Sequence, residues 1–269
     1  MPTNGLARLA RLWPAIALVL ALLGCAAPPP PNNDRAPRTA SDQTDPERRA
    51  RVRLELAALY LGRGQSSTAL DEVKRAIAAK PDLAEAYSLR GLIYASMGEP
   101  TLAEESFQRS LTLAPRDGDA MHNFGWFLCQ QRRYAEADAQ FNAAIAQTQY
   151  RDTVRSLLAQ GVCLARAGRW PEAEQALARS YELDPANPVT AYNLSEVLMR
   201  RGELDRARFY VGRINAVPEL ATAQSLWLAA RIERKLGNGQ AVQDFGRRLR
   251  ERFPQADETL LFERGRFDE

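Results

Sequence analysis

The residues able to do chemistry are few: one histidine, His122, and three cysteines, Cys25, Cys129 and Cys163, in a chain of 269 residues. A zinc site needs three or four converging His, Cys or carboxylate ligands at characteristic spacings, and no C-x-x-C or H-x-x-x-H pair is present. No serine or cysteine nucleophile stands with His122 and a carboxylate in a recognised catalytic motif, so the histidine is expected to line a groove or face solvent. The inventory therefore predicts no catalytic residue, no metal, no cofactor and no small-molecule substrate. With 36 basic against 33 acidic residues the formal charge is only +3, which argues against a nucleic-acid partner. A composition of 45% hydrophobic and 26% charged residues is that of a folded chain, so what remains is a protein that works by binding.

Cys25 has a context of its own. Arg8 and Arg11 precede an apolar run over residues 15–23, followed by small residues, which is the plan of a secretory signal. The run is shorter than the ~20 residues of a spanning helix. Its end, Leu22-Leu23-Gly24-Cys25, resembles the lipobox of bacterial lipoproteins, in which the signal is cut before a cysteine that then carries lipid. The resemblance implies a signal over 1–24 and lipidation of Cys25. Because Ala26 rather than aspartate follows, it also implies a lipid anchor in the outer membrane, on the periplasmic face. Cleavage removes two arginines and no acids, leaving a net charge of +1. Residues 25–49, with four consecutive prolines from Pro28 to Pro31, read as a flexible tether.

The elements that must position the other residues emerge from self-similarity. Small residues recur at Ala57, Gly91, Gly125, Gly161, Ser195 and Ala229, at spacings of 34, 34, 36, 34 and 34. Twelve positions beyond each stands alanine: Ala69, Ala103, Ala137, Ala173, Ala207 and Ala241. Four further on come large apolar residues, Val73, Phe107, Phe141, Leu177, Val211 and Phe245. Gly64, Gly98, Gly168 and Gly202 mark turns inside a repeat, and Pro81, Pro115 and Pro185 close repeats. This pattern resembles the tetratricopeptide repeat (TPR), a 34-residue helix-turn-helix unit. It implies an all-α, right-handed α-solenoid of six TPR repeats over 50–254, at about 50–83, 84–117, 118–153, 154–187, 188–221 and 222–254, with a C-terminal cap or tail over 255–269. Ser195 and Ala229 in place of glycine make the last two repeats the least regular.

The 36-residue step falls where a closing proline is missing, around residues 147–151, and is read as a longer connection rather than a longer helix. Cys129 and Cys163 flank it, on the first helices of the third and fourth repeats. Adjacent first helices pack side by side, so in an oxidising compartment the two are candidates for a disulfide, with burial as two apolar thiols the alternative.

Asn123-Phe124-Gly125, followed by Phe127-Leu128-Cys129, fits the string N-[FY]-G-x-F-L-C, with a second cysteine, Cys163, one repeat later. Together with the lipobox and six repeats, this resembles the PilF/PilW family of type IV pilus biogenesis lipoproteins. The resemblance implies a pilotin, an outer-membrane lipoprotein that binds the pilus secretin and promotes its localisation and multimerisation. Its groove is expected on the concave face, lined by Leu54, Leu61, Leu92, His122, Trp126, Leu158 and Tyr192 and suited to an apolar protein segment. Trp126 is the expected anchor. The alternative is a generic TPR scaffold lipoprotein of another envelope machine, such as barrel assembly or coordination of cell-wall synthesis.

Overall fold

A computed structural model describes residues 46–268, so the signal, lipidation and tether expected over residues 1–45 lie outside the described residues. Residues 46–49, expected in the tether, instead form the first turn of α1, where proline at the helix start costs no hydrogen bond. Ala50 is already fully buried there, and Lys80 holds Glu47 at 3.2 Å.

The helices run in antiparallel pairs: α1 (Pro46–Gly62) with α2 (Ser66–Ala79), α3 (Ala84–Ser96) with α4 (Pro100–Leu113), and α5 (Gly118–Gln130) with α6 (Tyr134–Ile145). They continue as α7 (Thr153–Arg166) with α8 (Trp170–Leu183), α9 (Pro188–Arg200) with α10 (Leu204–Asn215), and α11 (Ala223–Lys235) with α12 (Gly239–Arg252). A short α13 (Asp257–Glu263) follows, and no strand occurs among the described residues. The architecture is an all-α solenoid of TPR repeats.

The periodic small residues explain the pairing. A Cβ at Gly91 would meet the Phe107 ring at 2.8 Å, and one at Gly125 would meet Phe141 at 3.1 Å, so each glycine admits the large side chain sixteen positions later. Ser195 does the same work differently: buried at the same place, its hydroxyl donates to the Ala207 carbonyl at 2.8 Å, so the fifth repeat closes as fully as the others. The turn inside each pair needs one residue in the left-handed region. Gly64, Gly98, Gly168, Gly202 and Gly237 supply it, and in the third pair Arg132 does so with φ 61°.

Curvature follows from which helices touch. Each first helix (α1, α3, α5, α7, α9, α11) packs on its partner and on the next first helix, and each second helix packs on the following first helix. Between successive second helices the backbones lie farther apart and only side chains meet, as Tyr181 with Tyr210 at 4.9 Å between ring centroids and Arg206 with Glu174 at 2.7 Å. The first helices therefore line the inner, tighter side of the curve and the second helices the outer side. At the C-terminal end α13 packs on α11 and α12, and Phe262 and Phe267 close over Trp227, the latter with ring centroids 4.9 Å apart.

Candidate functional site

Two features of the inner side stand out: the junction of the third and fourth repeats, and the stripe of partly buried apolar residues that runs past it. At the junction Cys129 and Cys163 are joined in a disulfide between α5 and α7, with Cα atoms 5.8 Å apart. The additional residues of the 36-residue step lie in the connection. It spans residues 146–152, where the connections before α3, α5 and α9 have four residues each, and α6 is only 12 residues long.

That connection turns inward. The Tyr150 hydroxyl lies 2.7 Å from Ser156 Oγ, which lies 2.8 Å from His122 Nδ1, a chain of hydrogen bonds from the loop through α7 to α5. The Tyr150 ring packs over Gly118, where a Cβ would meet it at 2.6 Å. His122 is buried, 5% exposed, with its ring edge-on to Phe141. This corrects its expected place in the groove: the histidine faces the next repeat, where Ser156, itself bonded to the inserted Tyr150, is its polar partner. Burial, helped by the positive charge of Arg155 and partly opposed by Asp152, pushes its pKa down to about 4. It is neutral at pH 7, and its hydrogen bond to Ser156 is structural.

The other expected groove residues, Leu54, Leu61, Leu92, Trp126, Leu158 and Tyr192, are all half-buried. Leu54 and Leu61 pack against the core of the first repeats, Leu92 and Trp126 against that of the second and third, and Leu158 and Tyr192 against that of the fourth to sixth. They form a shallow apolar stripe rather than a deep slot. Polar links cross it between first helices: Asn123 donates to Ser88 Oγ at 3.2 Å, and Arg155 donates to Asn123 Oδ1 at 3.2 Å. The Arg166 guanidinium lies 5.1 Å from the centroid of the Trp126 ring, covering part of the expected anchor with a cation–π contact. Sequence reasoning missed Tyr150 and Ser156, although the 36-residue step pointed to their location, and it missed Arg166, whose meaning depends on the neighbouring helix. Among the described residues no group of His, Cys, Asp or Glu converges as a metal site would, and no helix is long and apolar enough to cross a membrane.

Models of the tetratricopeptide repeat match residues 84–117, 125–188 and 164–232. The type IV pilus assembly protein PilF of Pseudomonas aeruginosa is 25% identical over 246 residues, 91% of this chain and 95% of that protein. The crystal structure of PilW, described as a widely conserved type IV pilus biogenesis factor, superposes with a TM-score of 0.72 at 29% identity, over 78% of this chain and 96% of PilW. The chain is a TPR protein similar to PilF and PilW. The solved Pseudomonas aeruginosa PilF has the same fold, with a TM-score of 0.69 at 23% identity, over 82% of this chain and all of that one. In this chain the solenoid is crossed by one covalent bond, between α5 and α7, the same two helices that the His122–Ser156 hydrogen bond joins.

Proposed function

We propose that this chain acts in type IV pilus biogenesis as an outer-membrane lipoprotein of the pilotin kind, binding the pilus secretin and promoting its outer-membrane localisation and multimerisation. The observation that carries the proposal is the likeness to the Pseudomonas aeruginosa pilus assembly protein over 91% of the chain, and half-buried apolar residues on the first helices are compatible with it. In this reading Cys25 carries the lipid, and the proline-containing segment after it links the anchor to the repeats. The inner face then holds a secretin segment against the stripe from Leu54 and Leu61 through Leu92 and Trp126 to Leu158 and Tyr192. Concave solenoid surfaces hold extended or helical segments in this way because each repeat adds a few contacts in register.

Deletion of the gene should remove the secretin multimer seen on gels, while monomeric secretin persists and surface pili are lost. Unchanged multimers and pili would refute the secretin role. Labelled palmitate should enter the wild-type protein and not Cys25→Ser, and the variant should leave the outer-membrane fraction. Trp126→Ala should weaken secretin assembly with far-UV circular dichroism unchanged. Collapse of the fold would instead make Trp126 a packing residue.

A further inference from the structure

The inner side of the fifth repeat differs from those before it in charge and in what it leaves open. Val189, Asn193, Glu196 and Arg200 recur at helical spacing along one face of α9. At the N-terminal end of that face, Val189 and Tyr192 border a cavity of about 180 Å³ closed on its far side by Ile214 and Leu220. Val189 is 55% and Leu220 39% exposed, so apolar surface is left to water there. At the other end, Arg166 of α7 and Arg200 flank a second cleft of about 320 Å³, floored by Val162, Ala165 and Val197.

The two arginines are the informative part. Arg166, Arg200 and Arg234 are spaced by 34 residues, in the last turns of α7, α9 and α11. A cation there suits the helix dipole, but α1, α3 and α5 end without one, so dipole compensation is not a general need of these helices. Arg166 and Arg200 form no ion pair among the described residues, whereas the adjacent Arg201 is paired with both Glu174 and Glu203. Glu196 offsets part of this charge, leaving one net positive charge around the cleft.

We propose that the inner face of α9 binds an extended protein segment carrying a bulky apolar side chain for the Val189–Tyr192 cavity and a carboxylate for the Arg166–Arg200 cleft. Val189 and Arg200 lie about 16 Å apart along the helix, at 1.5 Å per residue. An extended chain at about 3.3 Å per residue spans this in about five residues, which fixes the spacing of the two features. The proposal deepens the preceding one and rests on it only in taking the inner side of the solenoid as the binding surface.

The probe is a synthetic fluorescein-labelled peptide with two leucines, a four-residue Gly/Ser spacer and two aspartates, titrated with the whole chain at low salt by fluorescence anisotropy. Replacing the aspartates by asparagines, or the leucines by serines, should each weaken binding about tenfold. The exposed double change Arg166→Glu/Arg200→Glu should do the same and should restore binding to a peptide with lysines in place of the aspartates. Equal binding of the parent and both control peptides to the unaltered chain would overturn the proposal without any variant having to fold. Equal binding of the serine peptide alone would reduce the site to unspecific anion attraction, which also overturns it. The assay contains no secretin, so its failure leaves the pilus role standing. Secretin multimers that persist without the gene would leave the peptide result standing in turn.

Discussion

The solenoid contains two seven-residue connections between repeats, residues 146–152 after α6 and residues 216–222 after α10, each following a second helix of 12 residues. They are treated in opposite ways. The first is sealed: Tyr150 reaches in to Ser156 and through it to His122, and a disulfide spans the same pair of first helices. The second is held by polar links, buried Asn215 bonding Ser225 and Arg248 and Arg252 donating to the Asn215 and Pro218 carbonyls, with the small Ala221 as its one buried residue. In between, Val217 and Leu220 stay exposed. Equal length thus gives a fixed joint in one place and an uncovered apolar edge in the other, and the side chains available to turn inward decide which.

The largest effect should come from the covalent part of the sealed joint. In the chain-entropy model a bridge closing about 34 residues stabilises by about 3 to 4 kcal/mol. Reducing the disulfide, or making Cys129→Ala with Cys163→Ala, should lower the melting temperature and speed hydrogen exchange in α5 and α7. Unaltered melting on reduction would mean that packing alone holds the joint.

Next comes acid. The folded His122 has a pKa near 4 against 6.5 for the free side chain, so between those values the unfolded chain binds a proton that the folded one refuses. Stability supplied here is fully present above about pH 6.5 and is lost as the pH falls towards 4, by up to about 3 kcal/mol at 1.36 kcal/mol per unit. Denaturant midpoints measured from pH 7.5 to 4 should show this slope, and His122→Gln should flatten it. A variant with the wild-type slope would place the acid sensitivity elsewhere.

A smaller contrast separates the two connections directly. Tyr150→Ala removes a half-buried ring and a link in a buried hydrogen-bond chain, at about 2 kcal/mol. Leu220→Ser, on the open connection, should change stability by less than about 0.5 kcal/mol. Comparable losses would erase the distinction. The smallest effect is a gain: Arg132 is the one described non-glycine residue at positive φ, and Arg132→Gly should stabilise the third repeat by about 0.5 to 1 kcal/mol, read as a rise in denaturant midpoint.

The repeat frame was legible because small and large residues recur with the period of the fold itself, as Gly91 with Phe107 and Gly125 with Phe141 show. The approach of Cys129 to Cys163 follows from the same frame, since first helices of successive repeats are neighbours. His122 was misplaced for a reason the frame cannot contain. Its position in the repeat faces the groove, but the side chain is buried and bonded to Ser156 of the next repeat, which also bonds Tyr150 of the longer connection. Residues 46–49 were assigned to the tether because their charged side chains hide the helix, which becomes evident only when Ala50 and Lys80 are seen against it. The unpaired state of Arg166 and Arg200 is likewise a property of what lies across from them.

The proposed function puts a secretin segment along the inner side of the solenoid, over the fifth repeat. Placing a photo-crosslinking amino acid at Asn193, on the inner face of α9, and separately at Asp205, exposed on the outer α10, tests it in cells that assemble pili. A secretin adduct is expected from Asn193 and none from Asp205. Adducts from Asp205 with none from Asn193 would contradict it.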